Sequence, residues 1–183
     1  MQKDVNQASR EVLISEEELQ KRVREIGMEI CEDYKDVEED IVLVGILKGA
    51  FIFLSDLVKA IKLPIKIDFM DVSSYGNSTI SVGDVRILKD LDNNITGKHI
   101  LIVEDIIDTG YTLSYLTKNL KTRGAKSVKI CTLLNKQERR VVDIAIDYIG
   151  FEIPDKFVIG YGMDYAEKYR NLPYIGVIKE EYI

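Results

Sequence analysis

The sequence predicts a single α/β domain built on a mostly parallel central sheet with helices packed against it. Two apolar runs, IVLVGIL at 41–47 and HILIV at 99–103, are continuous rather than alternating, which is the pattern of strands buried on both faces. Such runs take turns along the chain with segments that read as helices, and that alternation is what a parallel sheet with crossover helices requires. The size agrees: 183 residues, 46% hydrophobic and 31% charged, suit one globular unit spanning 1–183 with a core of its own.

Taken in order, Ser15 with Glu18 three residues on makes a capping box. Leu19, Val23, Ile26 and Ile30 follow on one helical stripe, so a helix runs to near Tyr34. The run 41–47 is a strand, 49–61 a helix closed by Pro64, and 65–72 the next strand. The stretch SSYGNSTISVGD at 73–84 is polar and Gly/Ser-rich without periodicity, a loop of a length typical of linkers or functional lids. A strand at 85–91 precedes the turn Asp92-Asn93-Asn94. The strand 99–105 is followed by a helix from about Thr112 to Arg123, stopped by Gly124, and by a strand at 128–134. Weaker strands are expected at 146–151, 157–161 and 174–178.

Composition narrows the function. With 25 Lys+Arg against 31 Asp+Glu the net charge is −6, which argues against a general nucleic-acid binder and leaves room for a small anion held locally. Cys31 and Cys131 sit apart among apolar residues, too few for a disulfide framework or zinc cluster, so buried reduced thiols and a cytoplasmic location are expected. No run approaches the ~18 apolar residues of a membrane span, and residues 1–17 lack a signal-peptide core, so no membrane partner is expected.

Chemistry concentrates at 100–112, ILIVEDIIDTGYT. An apolar strand runs into Glu104-Asp105, then into Asp108-Thr109-Gly110-Tyr111-Thr112 at the start of a helix. Ligands of open α/β sheets bind outside the carboxyl ends of strands. Gly110 permits a tight turn, and the amides and hydroxyls of 109–112 can converge on one anion, making a phosphate cradle at a helix N-terminus. Acids beside a phosphate repel it unless they face sugar hydroxyls, a metal ion or a transferable proton. A ribose 5-phosphate meets that requirement, with its phosphate in the cradle and its diol against Glu104 and Asp105.

This string resembles the phosphoribosyl pyrophosphate signature of the type I phosphoribosyltransferases. The likeness extends through Leu47-Lys48-Gly49, Ser73-Ser74-Tyr75-Gly76, Lys136, the run GFEIPDKFV at 150–158, Asp164-Tyr165 and Arg170, in the order seen in enzymes acting on hypoxanthine and guanine. It implies a mostly parallel sheet with a small hood formed by the terminal segments. It also implies transfer of 5-phosphoribosyl from phosphoribosyl pyrophosphate to N9 of hypoxanthine or guanine, giving IMP or GMP and pyrophosphate with Mg²⁺, by a homodimer or homotetramer.

The same resemblance distributes roles. Asp108 is the general base, and Glu104, Asp105, Asp108, Thr109, Gly110, Tyr111 and Thr112 hold the phosphoribosyl group. Lys48, Gly49 and Arg170 meet pyrophosphate, and the peptide bond before Lys48 can be cis. Lys136 faces the oxygen at purine C6, Phe157 stacks on the ring, and Val158 and Met163 complete the base pocket. Ser74 and Tyr75 belong to a lid that shields the reacting sugar from water. Glu104, Asp105 and Asp164 hold the metal. Outside the resemblance, Phe157 reads as core and Lys136 as an ordinary surface lysine. Two rivals remain at this level: a regulator that keeps the fold and binds RNA, and a transferase directed at xanthine or a pyrimidine.

Overall fold

A computed structural model of the chain describes residues 8–74 and 85–182. Strand β1 (Ser9–Ile14) leads into helix α1 (Glu16–Tyr34). The capping box forms: the Glu18 amide donates to Ser15 Oγ at 3.3 Å, and the Ser15 amide donates to Glu18 Oε2 at 2.8 Å. These bonds satisfy amides that every helix start leaves open. Leu19, Val23, Ile26 and Ile30 are all buried, as their spacing requires.

Strands β2 (Ile41–Leu47), β3 (Lys66–Ser74), β4 (Val85–Lys89), β5 (His99–Ile107), β6 (Ser127–Asn135) and β7 (Tyr148–Glu152) form a sheet in the order β4-β3-β2-β5-β6-β7. Only β4 runs antiparallel to its neighbour. The continuous apolar runs are explained by cover on both sides. Leu43, Leu101 and Val103 pack toward α1 and helix α2 (Phe51–Ala60). Val42, Val44, Ile100 and Ile102 pack toward helix α3 (Tyr111–Thr122). Successive strand residues point to opposite faces, so each run must be apolar throughout.

A second, three-stranded antiparallel sheet joins the chain ends in the order β1-β9-β8, with β8 (Val158–Ile159) and β9 (Ile175–Ile178). Ile14, Val158, Tyr161, Met163 and Ile175 from this part share one packed cluster with α1 and α2. A polar tie reinforces it: Tyr161 Oη and Gln20 Nε2 donate to Asp56 Oδ2 at 2.6 and 2.7 Å.

The structure departs from the expected boundaries in a few places. Strand β5 continues through Ile106 and Ile107, which pair with Leu134 and Asn135 of β6. Ser73 and Ser74, read as loop, end β3 and pair with Arg86 and Val85. Tyr75 lies outside the described residues. Strand β1 offers only the short apolar stretch Val12-Leu13-Ile14, of which Ile14 alone is buried. Both cysteines are free, but Cys31 is half-buried rather than buried, its Sγ accepting from the Lys62 amide at 3.2 Å. Among the described residues no helix is long and apolar enough to cross a membrane.

Candidate active site

The parallel strands β2, β5 and β6 deliver their carboxyl ends to one edge of the sheet, bringing Lys48, the segment 104–108 and Lys136 to the same side. Strand β2 ends in a cis Leu47–Lys48 peptide. The glycine after it is required by close approach, since a Cβ on Gly49 would lie 1.8 Å from Asp105 Oδ2.

The tight turn expected at Gly110 is present at the start of α3. Gly110 caps α3 with φ 88°, a left-handed conformation that glycine adopts without strain. The Ser114 amide donates to the Gly110 carbonyl at 3.0 Å, so the amides ahead of it are the open donors of the helix start. A following segment clamps the loop from behind. Arg140 Nε donates to the Asp108 carbonyl at 3.2 Å, and the amides of Val141 and Val142 both donate to the Thr109 carbonyl at 3.0 Å.

Just before the cradle, burial raises the Glu104 carboxyl well above its usual range, and the adjacent Asp105 carboxylate adds to the effect. Burial raises Asp105 as well, against the Glu104 hydrogen bond and the Ile106 amide, which favour its charge. Two acids in one dry place cannot both ionise cheaply without a cation or donor hydroxyls beside them.

Two adjoining cavities share Asp105, Ile106 and Asp108. One, of about 410 Å³, is lined by Gly49, Glu104, Thr109, Gly110 and Thr112. The other, of about 230 Å³, is lined by Lys136, Phe157, Val158, Met163 and Asp164. Asp108 therefore stands on the wall common to the cavity at the helix start and the smaller slot beside Phe157. Its Oδ1 is buried and accepts no hydrogen bond among the described residues, although Arg139 Nε stands 2.8 Å away as an ion-pair partner. The distance is short but the direction is poor, so the contact is electrostatic rather than a formed hydrogen bond.

On the slot side, Lys136 is buried to 8% exposure and donates to Asp155 Oδ1 at 3.2 Å. That bond holds the Asp155 carboxyl below its usual range. Phe157 is 50% exposed, meeting Tyr165 edge-on with ring centroids 5.6 Å apart. The core reading of Phe157 is thereby overturned, whereas Val158 and Met163 are buried. At the opposite pole, Arg170 Nη1 donates to the Gly162 carbonyl at 2.8 Å and Nη2 pairs with Asp164 Oδ1 at 2.8 Å. Lys48 Nζ donates to Glu167 Oε2 at 2.8 Å.

Among the described residues no three acids approach closely enough to cage an ion unaided. Glu104 and Asp105 sit at the end of β5, whereas Asp164 is engaged by Arg170 and by the Glu167 amide at 2.8 Å. What fits is a hard cation that keeps water or substrate oxygens, because the buried pair offers only oxygen and gains from a positive charge.

Sequence reading missed Arg139, Arg140, Asp155 and Glu167. Asp155 lies inside the run 150–158 and the others within a few residues of such a motif, but ion pairing across the fold leaves no local pattern.

Fold and site together define a phosphoribosyl-transferring enzyme: the model of the phosphoribosyl transferase domain matches residues 13–166, and the chain belongs to that family. Within it the likeness is to the hypoxanthine enzymes. The chain is 58% identical over 168 residues to hypoxanthine-guanine phosphoribosyltransferase of Bacillus subtilis (strain 168), covering 92% of each. It is 52% identical over 168 residues to hypoxanthine phosphoribosyltransferase of Escherichia coli (strain K12), covering 92% of this chain and 94% of that one. A crystal structure of a hypoxanthine phosphoribosyltransferase from Staphylococcus aureus superposes with TM-score 0.93 at 48% identity, covering 100% of this chain and 98% of that one.

Proposed function

We propose that this protein is a purine-salvage transferase that moves 5-phosphoribosyl from phosphoribosyl pyrophosphate to N9 of hypoxanthine or guanine, giving IMP or GMP and pyrophosphate. The observation that carries this reading is the position of Asp108 between the two cavities. The sugar phosphate takes the cradle of 109–112, and the ribose hydroxyls face Glu104 and Asp105. Pyrophosphate departs toward Lys48, Gly49 and Arg170. The purine lies in the slot against Phe157, Val158 and Met163, with its C6 oxygen accepting from Lys136.

As the bond from ribose C1 to pyrophosphate breaks, positive charge grows on the sugar and negative charge on the leaving group. The bond from C1 to N9 forms while the ring N–H proton passes to Oδ1 of Asp108, the oxygen paired electrostatically with Arg139. Fixed cations aimed at developing charge are the main source of acceleration in such a site. Glu104, Asp105 and Asp164 would help hold Mg²⁺, which supplies charge neutralisation at the diphosphate. Ser74 and Tyr75 belong to the lid side of this reading, together with a cytoplasmic homodimer or homotetramer.

A panel of hypoxanthine, guanine, xanthine, adenine and uracil, assayed with phosphoribosyl pyrophosphate in Mg²⁺ and in excess chelator, tests it. Turnover confined to 6-oxopurines and lost in chelator is expected. RNA binding with a steep salt dependence and no turnover would overturn the reading.

A further inference from the structure

Residues 164–170 form a hooked turn between β8 and β9, with Ala166, Glu167 and Tyr169 at φ 49°, 63° and 73°. Such left-handed values are uncommon for side-chain-bearing residues and persist where the surroundings hold them. The Glu167 amide is pinned to Asp164 Oδ2 at 2.8 Å, and the turn throws the Glu167 carboxylate over the pyrophosphate pole. There one oxygen accepts from Lys48 Nζ at 2.8 Å and the other stands 3.4 Å from Arg170 Nη2. The two cations assigned to the leaving group are thus bridged by one carboxylate of the same chain.

We infer that Glu167 competes with pyrophosphate for Lys48 and Arg170, and so sets how tightly the diphosphate group is held and how readily it leaves. This rests on the proposed pyrophosphate role of those two residues. A carboxylate with its two oxygens toward two cations imitates, with less charge, two oxygens of one end of a diphosphate. A bound diphosphate must displace it, and its return helps expel the product. Glu167 lines neither the cavity proposed for the sugar phosphate nor the one proposed for the purine, so its effect belongs to the diphosphate alone. Its side chain is 67% exposed, and exposed ion pairs are weak, so the competition is a tuning effect and not a block.

The test is titration of inorganic pyrophosphate with Mg²⁺ into the whole protein by calorimetry, alongside steady-state kinetics. Glu167→Gln should tighten pyrophosphate binding by roughly two- to tenfold. It should lower KM for phosphoribosyl pyrophosphate and leave KM for hypoxanthine unchanged. Glu167→Gly removes the charge at a backbone position that suits glycine, and should act in the same direction. In a Lys48→Ala background the gain should shrink, because one of the contested cations is gone. If Lys48→Ala weakens pyrophosphate binding while Glu167→Gln leaves it unchanged or weaker, the inference about Glu167 falls alone. If Lys48→Ala does not weaken it, the pyrophosphate assignment falls and the inference with it.

Discussion

Asp108 and Lys136 face the same slot, and an ion-pair chain joins them: Lys136 to Asp155, Asp155 to Arg139 at 3.3 Å, Arg139 to Asp108 at 2.8 Å. Asp108→Asn keeps the shape of that chain's end but removes the proton acceptor. We expect kcat to fall by roughly 10²–10⁴ with little change in phosphoribosyl pyrophosphate affinity. Near-normal kcat in that variant would remove the general-base role. Lys136 offers only donors, which match the C6 oxygen of hypoxanthine and guanine and clash with the amino group of adenine. A dry polar match of this kind can discriminate by ~10⁴-fold, because the mismatched partner is left unpaired. Lys136→Met should therefore cut kcat/KM for hypoxanthine and guanine and narrow their advantage over adenine. Efficient use of adenine by the wild-type protein would end that assignment. The motif segment 104–112 was legible because strand, acids, glycine and hydroxyls are contiguous in sequence. Arg139 was not legible, because its partners lie on a strand end and a loop that only the fold brings together.

The same contrast holds among the elements. Strands β2 and β5 announce themselves through unbroken apolar runs, since both of their faces are covered. Strand β1 does not, since half of it is exposed and it is defined by pairing with β9 at the far end of the chain. Strand β8 has only two residues, fewer than its apolar stretch suggested, because Gly160 and Gly162 then turn the chain at φ 99° and 106°. That turn is tied to the body through Tyr161, whose hydroxyl donates to Asp56. Burial acts to raise the Asp56 carboxyl, yet hydrogen bonds from Lys59, Tyr161 and Gln20 outweigh it and leave it below the ordinary value of 3.8. A carboxyl depressed by folding stabilises the folded state above its unfolded pKa, and that stability is lost as pH falls through the folded one. The tie therefore holds at neutral pH and is lost in acid, below the ordinary carboxylate range. Asp56→Ala strands the buried Tyr161 hydroxyl and should cost ~1–3 kcal/mol. Because Met163 follows in the same turn, KM for the purine should rise more than KM for phosphoribosyl pyrophosphate. Equal changes in the two, or an unaltered melting temperature, would show that the tie does not hold the purine side in place.

At the scale of the whole molecule, stability and function pull apart at one place. The core clusters on both faces of the central sheet are apolar, and they close around β5. That strand nevertheless carries Glu104 and Asp105 to its end, where burial and mutual repulsion raise the Glu104 carboxyl and burial raises Asp105. The sign is opposite to that of Asp56. A carboxyl raised by folding contributes its full stability below its unfolded pKa, and loses that contribution as pH rises through the folded one. The ligand-free protein should accordingly lose stability between mildly acidic and alkaline pH, in proportion to ionisation of this pair. Glu104→Gln removes one charge while keeping the shape, so it should raise the melting temperature at pH 8 and change it little at pH 5. For a chain of this size each kcal/mol relieved is worth roughly 2–4 °C. The same substitution removes an oxygen that the proposed function gives to the ribose hydroxyls and the cation, so affinity for phosphoribosyl pyrophosphate with Mg²⁺ should drop. Acidic pairs that cost stability are kept where activity needs them. Calorimetric melting at the two pH values, with and without phosphoribosyl pyrophosphate and Mg²⁺, checks both halves. The ligand should raise the wild-type melting temperature more at pH 8 than at pH 5, and this pH dependence should flatten in Glu104→Gln. A variant less stable than wild type at pH 8 would mean that Glu104 serves the fold and not the site.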